Sequence, residues 1–446
     1  MIVTRFAPSP TGLLHLGNLR AALFNWAMAR RAGGRFILRF DDTDGDRSRP
    51  EFVDAIRQDL DWLGIGWDAE IHQSARSDLY AAAADRLRAS ERLYACYETA
   101  EELELRRRVQ RAQGRPPVYE RTALRLDASE RAALARERTP HWRFLLSQGR
   151  VTWTDGILGA QAVETGSVSD PVLIRADGVV LYTLASVVDD ADLGVTDVVR
   201  GADHITNTAV QLEIFAAHGA SAPNFAHHAL MTLPGGAALS KRMAGLSLRD
   251  LRDAGVEPLA LMSLMARLGS ADPVEPRLSL DDIVAGFDPT RFGAAPTVLD
   301  PDEPARLSAK ILQGLDIEAV ASRLEALGIP RADAARLWPV VRGNISRLDE
   351  AAAWFAICRD GVDTEPSFED ADFVAQALAL LPDPPWTEES WTDWTSAVKS
   401  ETGRKGRALF QPLRHALTGR TRGPEMALLM PLMRQRPRLA AGSAAS

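Results

Sequence analysis

Ile2-Val3-Thr4-Arg5-Phe6-Ala7-Pro8-Ser9-Pro10-Thr11-Gly12-Leu13-Leu14-His15-Leu16-Gly17-Asn18 is the stretch whose reading decides the fold. Ile2 to Phe6 reads as a short strand, and Ala7 to Gly12 as a turn-forming loop. Leu16, Leu19, Leu23 and Trp26 then recur at helical spacing until Gly33-Gly34 closes the helix. Arg35 to Phe40 is a second strand, with Asp41-Asp42-Thr43-Asp44 at its carboxyl end. Pro50 opens another helix, carrying Phe52, Val53, Ile56, Leu60 and Leu63. Strand, helix and strand within about 40 residues imply a parallel βαβ unit, whose ligands sit at the carboxyl ends of the strands. The expected class is α/β, and the two loops after the strands are the expected site.

Working outward, residues 70–185 are less regular and read as an insertion. A helix is expected through Ala81–Leu93, with short strands around Trp142–Phe144 and Val151–Trp153. Parallel-sheet character returns at Val187-Val188-Asp189-Asp190 and at Val195–Arg200. Beyond about residue 300 the pattern is helical, with a break at Pro382 and Pro384-Pro385-Trp386. The small, polar stretch from Ala440 to Ser446 is expected to be a disordered tail.

Composition excludes several classes. Of 446 residues, 46% are hydrophobic and 25% charged, which is the balance of a soluble globular protein and leaves little scope for long disorder. No apolar run approaches the roughly 18 residues of a spanning helix, so no membrane partner is expected. The first ten residues lack the charged-then-apolar layout of a signal segment. Cys96 and Cys358 are too far apart for a metal pair and give no disulfide framework, which fits a reducing cytoplasm.

The net charge of −8 taken alone argues against a nucleic-acid partner, but the distribution reverses that reading. Residues 399–438 hold ten Lys or Arg against two Glu, and Arg106-Arg107-Arg108 with Arg111 and Arg115 forms a second basic run. Clustered arginines suit a phosphate backbone, although a solvated surface helix shows the same composition. Only four of the 52 basic residues are lysine (Lys241, Lys310, Lys399 and Lys405), so a lysine here marks a position that needs a compact ammonium.

Neither G-x-G-x-x-G nor G-x-x-x-x-G-K-[ST] is present, and no histidines stand at metal-ligand spacing. What remains is His15-Leu16-Gly17-Asn18 at the first turn of a helix. Unpaired N–H groups and a positive dipole end favour anions there, and Gly17 lets a ligand approach the backbone. A histidine at a helix start is also an ordinary cap. Leu239-Ser240-Lys241-Arg242 follows the flexible Pro234-Gly235-Gly236 and suits a loop that closes over a triphosphate.

Together these stretches resemble bacterial glutamyl-tRNA synthetases, a class I synthetase family. The resemblance runs from Arg5–Gly12 and His15–Asn18 through Arg39–Asp44, Tyr182, Val188-Asp189-Asp190 and Arg200-Gly201-Ala202-Asp203-His204. It continues with Asn207-Thr208, Leu239–Arg242 and Gly406–Arg414 with Ala416–Gly419, so it covers nearly the whole chain. It implies a Rossmann-type catalytic domain split over 1–71 and 186–240, and an α+β acceptor-stem-binding insertion at 72–185. A signature loop and stem-contact region follows at 241–300, then an all-α anticodon-binding region at 301–439. The implied reaction joins L-glutamate to tRNA(Glu) through glutamyl-adenylate, using ATP with Mg²⁺; tRNA(Gln) is an open second substrate. A cytoplasmic monomer is implied, and tRNA bound before activation is typical of the family.

By the same resemblance His15, Asn18 and Lys241 are the catalytic groups, and His15, Gly17, Asn18, Ser240, Lys241 and Arg242 hold ATP. Arg5, Ala7, Ser9, Asp41, Tyr182 and Arg200 match the glutamate contacts. Two arginine forks suit two carboxylates, and Asp41 suits the ammonium. Arg404, Lys405, Arg407 and Arg414 match the tRNA-binding end. Asp41 stands where the family usually has Glu, Ala202 replaces an acidic residue, and Ala238 occupies the first lysine position of the loop signature. The insertion keeps only Cys96, so the zinc knuckle of some relatives is not expected. Two rivals stand beside this reading: a shortened paralogue that glutamylates a tRNA base, and a non-catalytic tRNA-binding relative.

Overall fold

The computed structural model describes residues 1–237, 247–364 and 371–439. Two compact units emerge, one of residues 1–253 with 261–303, the other of 254–260 with the chain from 304 onward.

In the first unit, β1 (Val3–Phe6), α1 (Leu16–Arg31), β2 (Arg35–Phe40), α2 (Pro50–Leu63) and β3 (Ala69–His72) follow in order. Their strands form a parallel sheet ordered β1-β2-β3, with Arg5 opposite Ile37 and Arg39 opposite Ile71. α1 buries Leu16, Leu19, Leu23 and Phe24 completely, which at roughly 1.5–3 kcal/mol per large apolar side chain fastens its first turn onto the sheet. α2 starts with Pro50 at its first position and stops at the left-handed Gly64.

The segment read from the sequence as an insertion contains α3 (Ser77–Ala89), β4 (Leu93–Cys96), α4 (Ala100–Ala112), α5 (Ala128–Glu137) and β5 (His141–Phe144). It continues with β6 (Arg150–Asp155), β7 (Gly159–Glu164) and β8 (Val172–Ile174). β4-β5-β8 form an antiparallel sheet, and β6 pairs with β7 as a hairpin. The chain then returns through α6 (Tyr182–Asp192), β9 (Asp197–Gly201), α7 (Ile205–His218) and β10 (Asn224–His228). β9 and β10 are parallel, with Arg200 opposite His227, and Thr196 N–H donates to Val3 O at 2.9 Å, which ties this pair to β1. One core joins both parts: Val3, Ile37, Leu184, Val198 and Phe225 pack with Leu87 and Phe144 of the insertion.

Val187-Val188-Asp189-Asp190 lies inside α6, not in a strand. Residues 184–190 are all buried. A helix buried on every side shows the same short run of β-branched residues as a central strand, so four residues cannot separate the two. The helix expected at Ala81–Leu93 ends at Ala89, and Leu93 begins β4.

The second unit is built from helices, among them Ile317–Ala326, Arg331–Val341, Glu350–Asp360, Ser390–Thr402 and Arg407–Thr418. Asp363–Thr364 and Arg438–Leu439 add one short parallel pair that the all-helical expectation lacked. Trp338, Trp354 and Trp394 are buried at its centre, and the indole N–H groups of Trp338 and Trp394 donate to Leu315 O (2.9 Å) and Ala377 O (2.7 Å). Gly423 packs on Trp354 so closely that an added Cβ would lie 2.3 Å from the ring. Gly423→Ala should therefore destabilise this unit by about 2 kcal/mol, read as a lower denaturant midpoint.

Candidate active site

A cavity of about 490 Å³ opens at the carboxyl ends of β1, β2, β9 and β10, against the amino terminus of α1. Its walls include Arg5, Ala7, Ser9, His15, Gly17, Asn18, Asp41, Tyr182 and Arg200. Every glutamate-contact and helix-start residue expected from the sequence thus reaches one cavity.

The helix start is self-capped. Gly17 N–H donates to His15 Nδ1 (3.0 Å), and His15 N–H donates to Asn18 Oδ1 (3.0 Å). Burial holds the His15 pKa below its ordinary value, so the ring is neutral near pH 7. A neutral ring whose Nδ1 accepts must carry its proton on Nε2, which makes Nε2 the group that can donate to a phosphate oxygen. A Cβ at residue 17 would lie 2.7 Å from His15 Cε1, so the glycine is needed for the ring as well as for the ligand.

Charge dominates the opposite wall. Asp190, from α6, accepts from Arg5 Nε (3.1 Å) and Arg39 Nη1 (2.7 Å). Arg39 in turn holds Asp41, through Nε to Oδ1 at 2.7 Å and Nη2 to Oδ2 at 3.3 Å. Burial works against the Arg39 charge, yet Asp41 and Asp190 keep its pKa above the ordinary value. Burial likewise raises the Asp41 pKa, against the opposing pull of Arg39. Both Nη groups of Arg5 have no hydrogen-bond partner among the described residues, which leaves a fork for a carboxylate.

Arg200 differs. Its Nη2 donates to Thr208 Oγ1 (2.6 Å) and Gln211 Oε1 (2.7 Å), and its Nε points at His227 Nε2 (3.4 Å). All three partners are neutral side chains or rings, and among the described residues it forms no ion pair. Burial pushes its pKa down to about 10. A buried cation without a counter-charge is costly unless a ligand supplies one. Tyr182 OH accepts from Asn207 Nδ2 (2.8 Å) and sits 3.3 Å from His204 Nδ1, with its own pKa raised by burial.

Sequence reasoning missed Arg39, Asp190 and Arg20. Arg20 is buried in the cavity wall and donates to two backbone carbonyls, Ala229 O at 3.1 Å and Leu268 O. Its pKa is also lowered by burial to about 10. The buried charged side chains in and directly behind this wall are therefore four arginines (Arg5, Arg20, Arg39 and Arg200) against Asp41, Asp189 and Asp190. The surplus is positive and calls for an anionic ligand. Asp190 is 185 residues from Arg5 in sequence, and nothing local signals that pairing.

Ala238, Leu239, Ser240, Lys241 and Arg242 lie outside the described residues, as does the expected tail 440–446. The chain before them lines the cavity at Leu230 and Met231. The chain after them is tied to the His15 turn: Leu248 N–H donates to Leu14 O (2.9 Å), and Ser247 bridges to His15.

One group of possible metal ligands exists among the described residues: Cys96, Glu98 and His141, in the insertion. Its donor atoms are already engaged. Arg143 Nε donates to His141 Nε2 (3.2 Å), Tyr119 OH donates to Glu98 Oε1 (2.9 Å), and burial pushes the Cys96 thiol up to about 12. These three side chains are thus tied into the hydrogen bonding of their own segment.

On the second unit Lys405 and Arg407 are exposed, Phe410 is 45% exposed with its ring 6.2 Å from that of Trp391, and Arg404 stacks on Phe373 at 3.9 Å. Arg414 is half-buried and donates to Pro424 O (2.7 Å), which engages it inside the unit. In the insertion, Arg107, Arg108 and Arg111 all pair with Glu104, so that basic run is partly neutralised.

The model for the catalytic domain of class I tRNA synthetases (E and Q) matches residues 1–286, and an anticodon-binding-domain model matches 320–436. The glutamate–tRNA ligase 1 of Ruegeria pomeroyi is 58% identical over 434 residues, covering 97% of this chain and 98% of that protein. The chain belongs to the glutamate–tRNA ligase family. Glutamate–tRNA ligase 1 of Cereibacter sphaeroides is 56% identical over 431 residues, with similar coverage. The crystal structure of a glutamate tRNA ligase from Elizabethkingia meningosepticum, in complex with its amino acid, superposes with a TM-score of 0.82. It covers 97% of this chain and 96% of that one at 24% identity, a likeness of fold. The anticodon-domain match also removes the ground for a shortened paralogue, which lacks that half. Among the described residues no helix is long and apolar enough to cross a membrane.

Proposed function

We propose that this chain attaches L-glutamate to tRNA in two steps. A glutamate carboxylate oxygen attacks the α-phosphorus of ATP and expels pyrophosphate; a terminal ribose hydroxyl of tRNA then takes the acyl group and releases AMP. The observation that carries the glutamate reading is the buried, unpaired Arg200 facing Arg5 and Asp41 across one cavity. Two guanidiniums suit the two carboxylates, and Asp41, one methylene shorter than the usual glutamate, offers its remaining lone pairs to the ammonium. His15 Nε2–H donates to the triphosphate, and Asn18 fixes the turn that presents it. Gly17 belongs to the ATP site, and Ser240, Lys241 and Arg242, outside the described residues, are assigned to it with Lys241 acting on the departing pyrophosphate, which the position of the flanking chain beside the cavity supports. Mg²⁺ enters with ATP, held by phosphate oxygens and water rather than by a protein cage.

The inserted segment 72–185 takes the acceptor end, and the helical unit takes the anticodon end. Lys405 and Arg407 are the phosphate contacts there, and the exposed ring of Phe410 in the same helical segment is a surface on which a base can stack. Replacing both by Gln should weaken tRNA binding and reduce the slope of log affinity against log salt by roughly one to two. An unchanged slope removes them from the interface.

The deciding experiment is aminoacylation with labelled glutamate, using purified tRNA(Glu) and tRNA(Gln) separately. Charging of tRNA(Glu) alone defines a discriminating enzyme; charging of tRNA(Gln) places it on the indirect route to Gln-tRNA. Binding of tRNA without charging of either would return the non-catalytic reading.

A further inference from the structure

Arg200 is held from behind by side chains that begin in the inserted segment. Asp155 closes β6, and its carboxylate is buried. Oδ1 accepts from the N–H groups of Ile157, Leu158 and His227, each at 3.0 Å, and Oδ2 pairs with His227 Nδ1. Burial alone would raise the Asp155 pKa, yet these hydrogen bonds, that of His227 foremost, bring it down to about 2. Asp155 is thus an anion that only accepts, which places a proton on His227 Nδ1.

The other ring nitrogen completes the logic. His227 Nε2 lies 3.4 Å from Arg200 Nε and 2.9 Å from Thr208 Oγ1. A guanidinium N–H can only donate, so Nε2 must accept, and the ring is the neutral Nδ1–H form. Thr208 Oγ1 accepts from Arg200 Nη2 at 2.6 Å, and its one hydroxyl proton has His204 O (3.3 Å) as well as Nε2 within reach. With Gln211 on the same Nη2 at 2.7 Å, the guanidinium plane is set from two directions, and Nη1 is left without a partner among the described residues. The strand pairing brings this about, because Arg200 and His227 are register partners on β9 and β10.

We propose that Asp155 and His227 are positioning residues for Arg200: Asp155 fixes the histidine tautomer, and the tautomer aims the guanidinium at the substrate carboxylate. The inference rests on the glutamate reading of Arg200 given above. It makes the affinity for glutamate depend on the β6–β7 hairpin of the insertion, a segment that lines no part of the cavity. A buried Asp–His pair is also an ordinary way to pin a hairpin, and Gly156 N–H donating to Phe225 O (2.9 Å) does that pinning independently.

Asp155→Asn separates the two. Asn keeps an oxygen for the three backbone N–H groups, so the hairpin turn is retained. Its amide N–H₂ replaces Oδ2 and donates to His227 Nδ1. That forces the histidine proton onto Nε2, where it faces the N–H of Arg200. In tRNA-dependent pyrophosphate exchange, the glutamate KM should rise at least tenfold, while the ATP KM stays near wild type. In a His227→Gln background the tautomer no longer exists, since the amide oxygen can face Arg200 whatever stands at 155. Asp155→Asn should then add less than threefold.

A glutamate KM within twofold of wild type, a parallel rise in both KM values, or full multiplication of the two effects overturns the proposal. If Asp155→Asn does not fold, His227→Gln and His227→Asn decide. Gln keeps an acceptor in reach of Arg200 and Asn does not, so the glutamate KM should be at least tenfold higher for Asn; equality overturns the proposal. Wild-type protein without glutamate-dependent exchange refutes the glutamate reading itself, and the positioning role with it.

Discussion

Arg200→Met should raise the glutamate KM by roughly 10²- to 10³-fold, the cost of leaving a buried charge without its partner. The hydrogen-bond partners of Arg200 are the neutral Thr208, Gln211 and His227, and Asp190 and Asp203 act on it without an ion pair, so on the proposed reading a substrate carboxylate is its direct counter-charge. Arg5 differs because Asp190 already compensates it. Removing Arg200 relieves the apo protein of an unpaired buried cation. Arg200→Met should therefore unfold no earlier than wild type without ligand, while losing the rise in Tm that glutamate gives the parent. Arg200→Lys keeps the charge but not the fork, and should fall between the two in KM. A glutamate KM within threefold of wild type for Arg200→Met would move the substrate carboxylates elsewhere in the cavity.

What the sequence discloses and what it hides follow from the range of the interactions. Strand, loop and helix from Val3 to Arg31 are set by local pattern, and the helix-start residues His15, Gly17 and Asn18 satisfy one another within a single turn. Arg5 and Arg200 are legible as candidates because each stands near the carboxyl end of a parallel strand, where ligands belong. Their different electrostatic states are not legible. Those depend on Asp190, delivered by α6, and on Thr208 and His227, delivered by α7 and β10. The misreading of Val187–Asp190 as a strand has the same origin, since only packing shows that this run is covered on all sides. Asp41 is the intermediate case. Its place at the end of β2 reads from the sequence, but the prior claim of Arg39 on both its oxygens does not.

His15→Asn should lower the rate of tRNA-dependent pyrophosphate exchange by about 10²-fold, comparable to the loss of one preorganised donor to developing charge. The substitution isolates that role. Asn is among the best residues at a helix start, so the cap that His15 gives Gly17 N–H is retained and stability should change by less than about 1 kcal/mol. His15→Ala, by contrast, loses cap and donor together. The pH dependence separates them further. Folding lowers the His15 pKa by burial, so the unfolded chain binds more protons below about pH 6.5, and the wild type loses stability as pH falls through that range. Protonation also removes Nδ1 as the acceptor for Gly17 N–H and disturbs the turn that aims the ring. The wild-type rate should therefore drop on the acid side, and His15→Asn, slower throughout, should lack that part of the drop. If His15→Asn kept the wild-type rate, the α1 start would be a cap and nothing more, and the triphosphate would depend on Lys241 and its neighbours alone.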